Sequence, residues 1–125
     1  MGNAEAMNEV GCAYLEGSGV EQNVEKGIDW LKQGAYQGNA NAAENLASIY
    51  QSGNYGIKRN QELCLTYWKL GAENGSDECQ YNYGMCLKKG KGVPKDKEAG
   101  IKWISEAASK GHLKATEEMK KWQPN

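Results

Sequence analysis

The chain has 125 residues, a net charge of −1 at pH 7 with both signs well mixed, and no phenylalanine. That length buries a core without help from disulfides or a metal. The charge excludes a general nucleic-acid binder, which needs a strong basic excess, and no apolar run approaches the ~18 residues of a membrane span.

The first predicted helix runs from Ala4 to Glu16, with Ala6, Val10, Ala13 and Tyr14 at helical spacing. It stops at Gly17, a residue that accepts the left-handed conformation of a helix C-terminus. A second helix starts after Asn23, a good N-cap. Glu25 puts negative charge in its first turn, where the helix dipole favours it. This helix carries Gly27 where a neighbouring backbone must come close, buries Trp30 and Leu31, and ends at Gly38.

The pattern then begins again. Trp30, Tyr67 and Trp103 lie 37 and 36 residues apart. Ala35, Ala72 and Ala108 keep step, as do Gly38, Gly75 and Gly111, and Asn23, Asn60 and Asp96. Gly17-x-Gly19-Val20, Gly53-x-x-Gly56-Ile57 and Gly90-x-Gly92-Val93 share one place in the cycle. The middle version is one residue longer. Such a period predicts an all-α solenoid of helix-turn-helix repeats at about 3–38, 39–75 and 76–111. A terminal helix over 112–122 is expected to cover the end of the third repeat. One repeat cannot bury its apolar face alone, so neighbours stack into a continuous core.

Little chemistry is left once the period is removed. Cys64 shares its place with Gly27 and Gly100, Cys79 with Ala6 and Ala42, and Cys86 with Ala13 and Ile49. These three are expected to be small buried residues, whereas Cys12 falls with Ser48 and Met85. His112, the only histidine, is expected in a surface loop. Trp122 breaks register and is expected to cover the C-terminal end of the core. No cofactor, metal or nucleophile–base pair is expected, so the chain is not read as an enzyme. The glycine pairs follow helices and lack the G-K-[ST] ending of a phosphate loop. The first residues have neither the basic start nor the apolar stretch of a secretory leader. The expected compartment is cytoplasmic.

The segment from Ala6-Met7-Asn8-Glu9-Val10-Gly11-Cys12-Ala13-Tyr14 through Gly17-Ser18-Gly19-Val20 to Lys26-Gly27, Trp30 and Gly34-Ala35 resembles the Sel-1-like repeat family, relatives of the tetratricopeptide repeats. Gly90-x-Gly92-Val93, Asp96, Trp103 and Ala107-Ala108 carry the same likeness in the third repeat. The resemblance implies a right-handed superhelix that acts as a non-catalytic adaptor for a partner protein or peptide. It also implies that first helices line the concave face. By register, that face holds Glu5, Asn8, Cys12, Leu15 and Glu16, then Asn41, Glu44 and Ser48, then Tyr81, Met85 and Lys88, and finally Lys121. Tyr81 and Met85 are the expected anchors.

Two alternatives accompany that reading. One is an antitoxin-like immunity protein that blocks an effector. The other is a beta-lactamase-like activity, as linked to cysteine-rich relatives. Those relatives carry a bridge in every repeat, and here the equivalent helix ends hold Ala35, Ala72 and Ala108. No membrane insertion or nucleic-acid partner is expected. Exposed repeat ends are expected to support weak self-association. Charge is unequal along the chain. Residues 1–62 carry four basic and eight acidic residues, a net of −4, and residues 63–125 carry eleven lysines and eight acids, a net of +3.

Overall fold

A computed structural model describes residues 3–122. Seven α-helices and one short 3-10 turn account for their regular structure, and no strand occurs among the described residues. Helices α1 (Asn3–Glu16) and α2 (Val24–Tyr36) form the first hairpin. Helices α3 (Ala40–Ser52) and α4 (Gln61–Glu73) form the second, and α5 (Asp77–Lys89) and α6 (Lys97–Ser109) the third. Helix α7 (Leu113–Lys121) packs on α6. Contacts run mainly between chain neighbours, the arrangement of an all-α solenoid.

Side chains set the helix starts. The side-chain oxygens of Asn23, Asn60 and Asp96 accept from the N–H groups of Lys26, Leu63 and Ala99 at 3.0, 3.0 and 3.1 Å. The first helices are capped too, by Asn39, Ser76 and His112, which accept from Ala42, Cys79 and Ala115 at 2.7, 3.1 and 3.1 Å. His112 is therefore the N-cap of α7 and not a plain loop residue. Its place in the cycle is that of Asn39 and Ser76.

Within a repeat, the two helices cross at paired small residues. A Cβ added to Gly100 would lie 2.6 Å from the Gly84 carbonyl oxygen, and one added to Gly27 would lie 2.9 Å from that of Gly11. The middle repeat uses Ala47 and Cys64 instead, both without exposed surface. Above these crossings sit Leu31, Trp68 and Ile104, one from each second helix, and all three are buried.

The first helix departs from the expectation. Ala6 and Val10 are exposed, Ala13 and Tyr14 are half-buried, and the buried residues of α1 are Gly11 and Leu15. The equivalent Ala42 and Leu46 of α3 are fully buried because α2 precedes them. No described helix precedes α1. Leu15 was expected on the open face, yet it is 3% exposed. It packs into the space left by the absent side chain of Gly27.

Candidate partner-binding face

The first helices α1, α3, α5 and α7 carry the expected face, and the structure divides it into a closed half and an open half. In the closed half, most of the expected residues hold one repeat to the next. Tyr81 stacks on the His112 ring with centroids 5.0 Å apart. That imidazole touches Glu78 Oε1 through Nε2 at 2.8 Å while its Nδ1 caps α7. Since Nδ1 accepts from the Ala115 N–H, the ring proton sits on Nε2 and points at Glu78. Burial pushes the Tyr81 phenol up, with the Glu118 carboxylate adding to it. Met85 packs beside Tyr81 and Met119 on Ile104, Ala107 and Ala115.

Lys88 was expected on the open face. It is half-buried and forms an ion pair with Glu118. Hydrogen bonding from Lys88 is the largest influence holding the Glu118 carboxyl below its ordinary value. Trp122, expected to cover the end of the core, is half-buried beside charged groups. Its ring lies 4.4 Å from both the Lys88 and the Lys97 ammonium, and its N–H donates to Glu118 Oε2 at 3.3 Å. Lys121 is exposed and reaches Glu118 Oε1 only at 3.6 Å.

Glu44 belongs to the joint between the second and third repeats. Its Oε1 accepts from the Ser76 hydroxyl at 3.1 Å. The register placed Asn45 off the expected face, yet its amide links α3 to α1. It donates to Asn8 Oδ1 at 3.0 Å and lies 3.6 Å from the Cys12 sulfur.

The open half lies between α1 and α3. Glu5, Asn41 and Ser48 are exposed there, and Asn8 and Cys12 are half-buried. A cavity of about 150 Å³ opens in this seam. Cys12, Leu15 and Glu16 wall it from α1, and Asn45, Ser48 and Ile49 from α3. The turn after α3 closes one side through Asn54 and Tyr55. Tyr55 has φ +60°, the one positive φ outside glycine among the described residues. Helices α1 and α3 carry Glu5, Glu9, Glu16 and Glu44 and no lysine or arginine. A larger hollow of about 500 Å³ flanks α6 and touches none of the expected face residues.

The thiols are poor nucleophiles. Burial pushes Cys64 up to about 11 and Cys79 up to about 12, and it raises Cys12 and Cys86 as well. At neutral pH they stay protonated. Among the described residues, no three His, Cys, Asp or Glu side chains group as a metal site. No described helix is long and apolar enough to cross a membrane.

The Sel1 repeat profile matches residues 4–39, 40–76 and 77–112. A Sel1 repeat protein from Oxalobacter formigenes superposes with a TM-score of 0.85 at 32% identity, covering 97% of this chain and 90% of that one. The ERAD-associated E3 ubiquitin-protein ligase component HRD3B of Arabidopsis thaliana is 32% identical over 76% of this chain and 15% of its own length. The chitin synthase regulator SKT5 of Saccharomyces cerevisiae is 29% identical over 75% of this chain and 13% of its own. The chain thus spans about one-seventh of the length of these curated relatives. Three tandem matches and a solved structure of the same architecture place the chain in the Sel1 repeat family.

Proposed function

We propose that the chain is a non-catalytic adaptor module that holds a partner protein or peptide along its first-helix face. One observation carries the reading. Most of the periodic residues are taken up in packing, and the α5–α7 half of the face is locked by its own contacts, whereas the α1–α3 seam remains open with polar side chains around a cavity. The relatives lend support through their names, since one is a ligase component and the other a synthase regulator. A cytoplasmic, reducing setting fits four unbridged thiols, three of them buried and Cys12 half-buried.

The test begins with affinity capture of the partner from the native host. Asn41→Arg and Ser48→Arg on the face are compared with Asp29→Arg and Gln33→Arg on exposed positions of α2. The face variants are expected to weaken partner binding at least about tenfold, and the α2 variants to leave it unchanged. The reverse pattern would overturn the reading.

A further inference from the structure

We propose that the seam between α1 and α3 is a socket for one basic side chain, lysine or arginine, of the partner. The inference rests on the adaptor reading and gives it a partner chemistry.

Size comes first. A cavity of about 150 Å³ falls well below the roughly 300–1,000 Å³ of a small-molecule site. It holds a single long side chain. Its floor is apolar, because Leu15 and Ile49 are each 3% exposed. Such a floor suits the methylene stem that lysine and arginine bury while the charged head stays near polar groups. The rim offers Asn45, Ser48 and Tyr55 as hydrogen-bonding partners.

Charge selects among the long side chains. Glu16 is the only formally charged residue in the lining. The nearby Cys12 thiol stays neutral, raised by burial and then by Glu16 itself. Neither helix that frames the seam carries a base, and of their glutamates Glu16 is the one in the lining, Glu44 being bonded to Ser76 at the next joint. Two basic residues follow the turn, Lys58 and Arg59; neither lines the cavity, and Arg59 donates through Nε to the Gln51 carbonyl at 3.1 Å. An acidic side chain would meet Glu16 unfavourably. An apolar one would leave the polar rim without partners.

The socket is particular to this seam. After α1 and α5 the chain turns through Gly17-Ser18-Gly19 and Gly90-Lys91-Gly92. After α3 it has one residue more, and Tyr55 takes a left-handed φ that a side chain disfavours. That conformation sets Tyr55 in the cavity wall. The turn after α5 carries Lys91 instead, and the α5–α7 seam is occupied by Tyr81, His112 and the Lys88–Glu118 pair.

The experiment is a titration of the isotopically labelled chain with N-acetyl-arginine amide and N-acetyl-lysine amide, followed by amide NMR shifts. N-acetyl-citrulline amide and N-acetyl-glutamate amide serve as uncharged and acidic controls. The basic probes are expected to give saturable shifts at Cys12, Glu16, Asn45, Ser48 and Tyr55, and the controls none. Glu16→Gln should weaken the basic probes about fivefold, Tyr55→Gly should also weaken them, and Glu5→Gln should not. Half-molar salt should weaken them as well. Equal shifts from all probes, shifts confined to other helices, or indifference to Glu16→Gln would overturn the socket. A silent seam in a chain whose captured partner still depends on Asn41 and Ser48 would sink the socket and leave the adaptor face standing. A partner indifferent to Asn41 and Ser48, together with a silent seam, would sink both.

Discussion

Lys88 of α5 and Glu118 of α7 form an ion pair across the last helix contact, with side chains only 18% and 8% exposed. Removing one member of a buried pair leaves the other charge stranded, at a cost of about 3–5 kcal/mol when burial is complete. Lys88 retains some access to water and Glu118 also accepts from Trp122. Glu118→Ala is therefore expected to lower stability by about 2 kcal/mol in chemical denaturation. A change under about 0.5 kcal/mol, the ordinary surface range, would show that the pair does not hold α7.

The same carboxylate makes stability depend on acid. Its folded-state value lies below the ordinary 4.5, chiefly through the Lys88 hydrogen bond. A group lowered on folding contributes fully above its unfolded value, and the contribution is lost as pH falls through the folded value. Unfolding free energy should therefore drop on acidification below about pH 4.5. Glu118→Gln should show a shallower drop over that window. Parallel curves for the two proteins would contradict the assignment.

His112 should behave as a cap. Losing an N-cap costs about 0.5–2 kcal/mol, so His112→Ala should fall in or above that range, given the added loss of the Tyr81 stack. His112→Asn restores the cap that Asn39 supplies to α3 and should cost distinctly less. Thermal denaturation of both variants reads the difference, and equal losses would mean that the cap contributes little.

The helix crossings predict a contrast among glycines. Gly100→Ala forces a Cβ to within 2.6 Å of a backbone oxygen and should cost more than about 2 kcal/mol. Gly19 has φ +77° and nothing within 4 Å of an added Cβ. Gly19→Ala should therefore cost only the conformational penalty of about 1–2 kcal/mol. Denaturant midpoints for the two variants provide the comparison.

The thiols offer a further check. Cys12 is half-buried, and Cys64, Cys79 and Cys86 are buried. Maleimide labelling of the native chain should modify Cys12 first, and denaturation without reductant should expose all four. Fewer than four free thiols in denaturant would contradict the proposed reducing setting.

The period was legible because each repeat solves the same packing problem. Leu31, Trp68 and Ile104 need an apolar place above a helix crossing, and Gly27 and Gly100 need to have no side chain there. What the sequence concealed lies between repeats. Asn8 meets Asn45 across 37 residues, Glu78 meets His112 across 34, and Lys88 meets Glu118 across 30. Each looks like a solvated polar residue when read along its own helix. His112 could have been found, since it falls with Asn39 and Ser76 and all three precede a first helix. The exposure of Ala6 and Val10 could not be read from periodicity, which assigns a residue to a slot but not a neighbour to the slot. The extra residue after Gly53 was visible in the sequence, while its consequence, Tyr55 closing the α1–α3 cavity, needed the fold.

Amide shift mapping of the isotopically labelled chain bound to its captured partner tests the adaptor face most directly. The predicted footprint covers Glu5, Cys12, Asn41 and Ser48 along α1 and α3, with the exposed second-helix positions Asp29, Lys69 and Lys102 unperturbed. A footprint centred on α2, α4 and α6 that leaves the α1–α3 seam silent would contradict it.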